Sequence, residues 1–137
     1  MSGISVRGNL LPFFPLCARE LEGLLASLTD FLALTGDVSL SCVDDQEIAG
    51  LNERFLGCIG PTNILSFPAA EQAGAEDTLG ELVLSRAALA RECVLYGQSV
   101  GEHLVRLLAH GLLHLAGLEH GPEMFERTEE AVTCFRF

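Results

Sequence analysis

Two rhythms of apolar and polar residues organise this chain. Over residues 4–7 the two kinds alternate, and over residues 37–43 Val38, Leu40 and Cys42 fall on one side with Ser39 and Ser41 on the other. That is the period of a strand with one buried face. Over residues 16–34 apolar side chains instead return every three or four positions (Leu21, Leu24, Leu25, Leu28, Phe31, Leu32), predicting a core-packing helix entered after Pro12 and Pro15 and left before Gly36. Gly8 and Asn9 signal the turn between these first two elements. Asp44, with Glu47 three residues on, is placed to cap a second helix whose Ile48, Leu51 and Phe55 share a face.

Residues 57–61 read as a loop and residues 63–67 as a short β-rich run between Pro61 and Pro68. Proline cannot donate to a ladder, so this run belongs near a sheet edge, where a strand can hold substrate. Residues 69–77, rich in Gly, Ala and acidic side chains, predict a mobile loop, and residues 79–84 a fourth strand. Ser85 caps a helix to about Tyr96 that Gly97 ends. Ser99 and Glu102 make a capping box for the next helix, driven into the core by Val100, Leu104, Leu107, Leu108 and Leu115. A last helix starts near Pro122 and runs to about Glu130. The order β-α-β-α-β-β-α-α-α predicts one α+β domain over residues 1–137, a small mixed sheet of about four strands covered by helices.

Composition narrows the function. Hydrophobic residues make up 49% of the chain, yet no run reaches the roughly eighteen apolar residues of a membrane span, so a globular protein with no membrane partner is expected. The N-terminal residues lack a secretory pattern, which points to the cytoplasm. Five scattered cysteines without a Cys-x-x-Cys pair argue against a disulfide framework or a zinc ribbon; most are expected in the core, with Cys58 the candidate exposed thiol. The net charge is −11 and the cationic residues, all arginines, form no stripe, so DNA is not an expected partner. A nucleic-acid substrate would have to be held by a metal, a few arginines or a presenting partner.

The candidate chemistry lies in residues 110–120, His-Gly-Leu-Leu-His-Leu-Ala-Gly-Leu-Glu-His. His110 and His114 are four apart, so a helix projects both from one face. Gly117 can close that helix in a left-handed conformation and let the chain return His120 as a third nitrogen. Two histidines on an apolar face can be core residues, but three within one short apolar stretch would be costly there without a metal. Three imidazoles with a fourth position left for solvent suit a catalytic Zn2+ site. His114 is the candidate catalytic ligand and Glu119, beside the third histidine, the candidate catalytic carboxylate, against its plainer reading as a solvated turn residue. His103, two turns before His110, is expected in the core or at the surface rather than in the cleft. The spacing also matches the metzincin pattern His-Glu-x-x-His-x-x-Gly-x-x-His, but Gly111 stands where a peptidase keeps its general base.

The stretch resembles the signature of the YbeY-type endoribonucleases, bacterial rRNA maturation factors: His-Gly-x-Leu-His-Leu-x-Gly-Tyr-Asp-His, with Leu118 in place of Tyr and Glu119 in place of Asp. Leu51-Asn52 with residues 61–68, Pro-Thr-Asn-Ile-Leu-Ser-Phe-Pro, and then Leu79-Gly80-Glu81-Leu82 are similar to two further blocks, so the resemblance covers about residues 37–125. It implies a zinc-dependent endoribonuclease specific for single strands, acting in the cytoplasm in 16S rRNA 3′-end maturation and ribosome quality control, with His110, His114 and His120 as ligands. Single-stranded rRNA and proteins of the small ribosomal subunit are then the partners. The family usually carries an active-site arginine four residues after the Asn of the Leu-Asn pair, and Leu56 stands there. Arg54 is about 200° away around a helix and does not simply substitute. Leu56 and the acidic charge favour a contrasting reading, a non-enzymatic ribosome-assembly factor stabilised by zinc.

Overall fold

The structure is a computed structural model that describes residues 3–8, 10, 16–69, 77–135 and 137. Its elements run β1 (Ile4–Arg7), α1 (Ala18–Phe31), β2 (Asp37–Val43), α2 (Asp45–Leu56), β3 (Ile64–Pro68), β4 (Thr78–Ser85), α3 (Arg86–Tyr96), α4 (Val100–Leu115) and α5 (Pro122–Phe135). The sheet has the order β1-β2-β4-β3. β1, β2 and β4 are parallel, and β3 pairs antiparallel with β4, Ile64 opposite Leu84 and Phe67 opposite Glu81. The mixed α+β architecture is the one predicted, and the proline-flanked strand β3 does occupy an edge.

Strand alternation decides what each face of the sheet covers. Val38, Leu40 and Cys42 of β2 and Leu82 and Leu84 of β4 join the main core with Leu21, Leu25 and Leu28 of α1 and Leu104, Leu108 and Leu112 of α4. Val83 and Leu65 point the other way, into a small cluster with Ile48 of α2. Leu51 and Phe67 pack against that cluster. Among the described residues helix α2 therefore sits alone on one face, while α4 is buried against the other.

The caps follow sequence chemistry. Asp44 accepts from the Glu47 N–H at 2.8 Å, and Ser85 Oγ accepts from the Ala88 N–H at 3.1 Å. Gly57 and Gly97 close α2 and α3 with φ of 68° and 63°, conformations that carry no steric cost without a Cβ. At α4 only half of the capping box forms. Ser99 Oγ accepts from the Glu102 N–H at 3.2 Å, while the Glu102 carboxylate lies 3.4 Å from Arg106 Nη2.

Three expectations change. Helix α1 stops at Phe31 because Ala33, not a glycine, takes the left-handed turn at φ 59°, with Leu34 N–H bonded back to the Thr29 carbonyl. Helix α5 runs five residues past Glu130, to Phe135, whose ring packs edge-on against Phe31 at 5.2 Å between centroids. Only Cys42 and Cys93 are buried; Cys17, Cys58 and Cys134 are exposed, since Cys17 serves as the N-cap of α1 and Cys134 lies on the solvent side of α5. Asn9, Pro12, Pro15 and most of the loop expected over residues 69–77 lie outside the described residues.

Candidate metal centre

Helix α4 is a rigid carrier because nearly every position on its sheet-facing side is buried. It ends in a Schellman motif: Gly117 N–H bonds the His114 carbonyl, Leu118 N–H bonds the Leu113 carbonyl, each at 3.0 Å, and Gly117 has φ 92°. Leu118 packs against the main core, which fixes the direction in which the chain leaves. That turn brings His120 back to the helix.

The three rings converge. Centroids are 4.5 Å apart for His110 and His114, 5.0 Å for His110 and His120, and 4.7 Å for His114 and His120. The Nε2 atoms of His110 and His114 lie 3.1 Å apart, and one ligand atom from each of the three lies within 4.8 Å of the others. Nitrogens gathered this closely fit a single cation. Burial, followed by the neighbouring imidazoles, pushes the pKa of His110 below the ordinary value. His114 is lowered in the same way, opposed by a hydrogen bond with the Leu118 backbone. Both effects keep the rings in the neutral form that a metal requires.

The histidines open into a groove of about 400 Å3 whose other wall is β3, with Asn63, Ile64, Leu65 and Ser66 along it and Leu56 at the end of α2. Ser66 Oγ donates to the Gly111 carbonyl at 3.1 Å, tying the strand to the histidine helix. Gly111 has a packing reason to be glycine. A Cβ there would meet Leu82 Cδ2 at 2.9 Å and Ile64 Cδ1 at 3.0 Å, so the helix sits too close to the sheet for a carboxylate at this position. The position that a metzincin gives to its base is closed by the fold.

Glu119 is exposed in the turn before His120. His103 is in the core, 4% exposed, with Nε2 2.9 Å from Glu92 Oε1. Leu56 faces the histidine groove, while Arg54 lines a second groove of about 570 Å3 on the α2 side of the sheet, together with Arg7, Phe55 and Phe67. The helical step thus separates Arg54 from the histidines, as its position in sequence predicts. One neighbour escaped the sequence reading. Arg106, four residues before His110 and hence on its face of the helix, lines a recess behind His110 and His120 with Met124 and Thr128 of α5. It is held by Glu129 at 3.0 Å, by Glu102 and by Gln98. The hydrogen bond to Glu129 is the main reason its pKa is raised.

Known proteins match this arrangement at three levels. The chain is 44% identical to the Endoribonuclease YbeY of Oleidesulfovibrio alaskensis, over 96% of this chain and 90% of that protein. It is 47% identical to the one from Nitratidesulfovibrio vulgaris, over 85% of this chain and 83% of that protein. The solution structure of a Thermotoga maritima protein superposes with a TM-score of 0.66 at 27% identity, covering 94% of this chain and 86% of the other. The family described as Endoribonuclease YbeY matches residues 17–134, and the chain belongs to that family.

Proposed function

We propose that this protein is a zinc-dependent endoribonuclease that cuts single-stranded RNA, with rRNA of the small ribosomal subunit as its substrate. The single observation that carries the reading is the convergence of His110, His114 and His120 beside an open strand edge. In this reading the three imidazoles hold Zn2+, which when bound supplies Lewis acidity toward a phosphate oxygen or a water molecule. Nitrogen donors alone suit zinc better than magnesium or calcium, which take oxygen ligands. His114 is the central ligand, its ring oriented by the Leu118 backbone. Glu119 is the carboxylate proposed to exchange a proton with solvent at the cleavage site, reached by a rotation of its exposed side chain.

The strand wall is suited to an extended single strand. Ser85 N–H donates to the Asn63 carbonyl at 2.9 Å, so odd-numbered residues of β3 bond to β4 while the Ile64 carbonyl and the backbone groups of Ser66 turn toward the edge, the Ile64 N–H being taken by Asn63 Oδ1. The family supports cytoplasmic rRNA maturation as the setting, with proteins of the small subunit presenting the RNA to a chain whose own charge is −11. Among the described residues no helix is long and apolar enough to cross a membrane.

One observation favours a second reading, a non-enzymatic assembly factor: Leu56 is 54% exposed in the groove, and among the described residues no cationic side chain lines it. Zinc-loaded protein incubated with single-stranded and with structured RNA separates the two. The nuclease reading expects cleavage of the single strand, abolished by a chelator and by His114→Ala. Equal cleavage by His114→Ala removes the histidines from the chemistry, and intact RNA together with rescue of ribosome maturation in cells lacking the protein supports the assembly reading.

A further inference from the structure

Outside the histidine cluster, a partly buried polar chain links three elements. His103 on α4 and Asn63 at the start of β3 both converge on Glu92 of α3. His103 Nε2 lies 2.9 Å from Oε1, and Asn63 Nδ2 lies 3.2 Å from the same oxygen and 3.4 Å from Oε2. The side chains of His103 and Glu92 are 6% and 18% exposed, and His103 Nδ1 has no hydrogen-bond partner. A polar chain in this setting ties the elements it joins into one arrangement, because breaking any of its bonds would leave a partly buried polar group unpaired.

At its outer end, Asn63 lines the histidine groove. Its Oδ1 accepts from the Ile64 N–H at 2.7 Å, and its carbonyl accepts from Ser85 at 2.9 Å. Asn63 is thus clamped by three partners at the point where β3 enters the groove. His103 stands two turns before His110 on the same helix, so Glu92 bridges the carrier of the metal ligands to the strand that faces them. Ser66, bonded to the Gly111 carbonyl, makes a second tie farther along.

We propose that Glu92 and His103 are positioning residues of the groove, acting through Asn63 to hold the first residues of β3 at a fixed distance from the histidines. The consequence for turnover rests on the endoribonuclease reading. An offset of about 1 Å between a bound strand and the reacting centre can cost on the order of a hundredfold in rate. Neither residue touches substrate, so the effect belongs in kcat rather than KM.

Both donors share Oε1, and an amide oxygen has two lone pairs, so Glu92→Gln keeps the two bonds to Oε1 and gives up only the longer one from Asn63 to Oε2, while Glu92→Ala loses all three. The test uses zinc-loaded wild type and variants on a single-stranded RNA oligonucleotide, with rates expressed per zinc-loaded folded molecule. Glu92→Ala is expected to lose about tenfold or more in kcat at unchanged KM and zinc content, and Glu92→Gln to stay within about twofold of wild type. The Glu92→Ala and Asn63→Ala losses should not add in the double variant. An unchanged kcat in Glu92→Ala, equal damage from Gln and Ala, or additive losses would each overturn the proposal. If Glu92→Ala does not fold, Asn63→Ala against Glu92→Gln carries the same comparison from the solvent side. Amide exchange at Ile64 reads the clamp without RNA: it should quicken in Glu92→Ala, and no change refutes positioning. A wild type that leaves RNA intact while Ile64 exchange responds would instead refute the nuclease reading and spare the clamp.

Discussion

The histidine groove and the α2-side groove lie on opposite faces of the same sheet, and they divide the chemistry between them. Among the described residues the first, about 400 Å3, is lined by three histidines and no arginine; the second, about 570 Å3, has Arg7, Arg54, Phe55 and Phe67 but also Glu47 and Glu81. Among the described residues the larger cavity has no group of side chains that can share an ion, and its arginines stand beside carboxylates that offset them. The proposed chemistry follows the convergence of donors rather than volume. Two periods produce the division: in β3 the alternation of a strand turns Ile64 and Ser66 to the histidines and Phe67 to α2, and in α2 a step of two residues, about 200° around the helix, parts Leu56 from Arg54.

The largest effect should come from a ligand that contributes little to folding. His120 is exposed, so His120→Ala is expected to leave the unfolding midpoint of the metal-free protein nearly unchanged. It should lower zinc content and RNA cleavage by at least about a hundredfold, the loss that altering even the partners of a ligand can reach. Arg54→Ala, in the other groove, should change cleavage less than about twofold, the scale of a surface substitution away from the site. If the two variants behaved alike in elemental analysis and cleavage, the division of labour between the grooves would be wrong.

A gain of function sharpens the comparison next. Leu56→Arg places a guanidinium in the histidine groove, at an exposed position that needs no repacking. A charge-assisted hydrogen bond to phosphate is worth roughly 1.5–3 kcal/mol, or about ten- to a hundredfold if it forms in the transition state. Raised kcat/KM on single-stranded RNA is the expected result. No gain would mean that phosphate charge is met elsewhere, and Arg106, behind His110 but committed to Glu129 and Glu102, would be the next residue to test.

How far the sequence reveals this molecule depends on the range of each interaction. Element order, the Asp44, Ser85 and Ser99 caps, the edge position of β3 and the histidine trio are all legible because period, capping and spacing are local. Arg54 could be dismissed from the helical step alone. The Ala33 turn that ends α1 was hidden because sequence reasoning looks for glycine at a positive φ. Glu92 was hidden for another reason. Its partners lie 29 residues before it and 11 after it, and only the packing of α3 against α4 and the sheet brings them together. The reason for glycine at 111 is equally tertiary, set by Leu82 and Ile64 across the sheet.

The smallest effect concerns what holds α2 in the orientation that separates Leu56 from Arg54. Asp45, the first residue of α2, accepts from Ser85 Oγ at 2.8 Å and from Arg91 Nη1 at 3.0 Å, joining α2 to α3. The Arg91 hydrogen bond, then that of Ser85, lowers the Asp45 pKa below 3.8. A carboxyl whose pKa is lower in the folded than in the unfolded chain stabilises the fold above the unfolded value, and loses that contribution as pH falls through the folded one. The side chains of Arg91 and Asp45 are 50% and 35% exposed, so the pair is screened and Asp45→Asn should cost no more than about 1 kcal/mol. Denaturant unfolding should show wild type ahead of Asp45→Asn by the same margin at pH 7 and pH 5, and a shrinking margin below about pH 4. A margin that persists under strong acid would assign the contribution of Asp45 to side-chain shape instead of charge, and the electrostatic hold on α2 would be nil beside the packing of Ile48, Leu51 and Phe55 on the sheet.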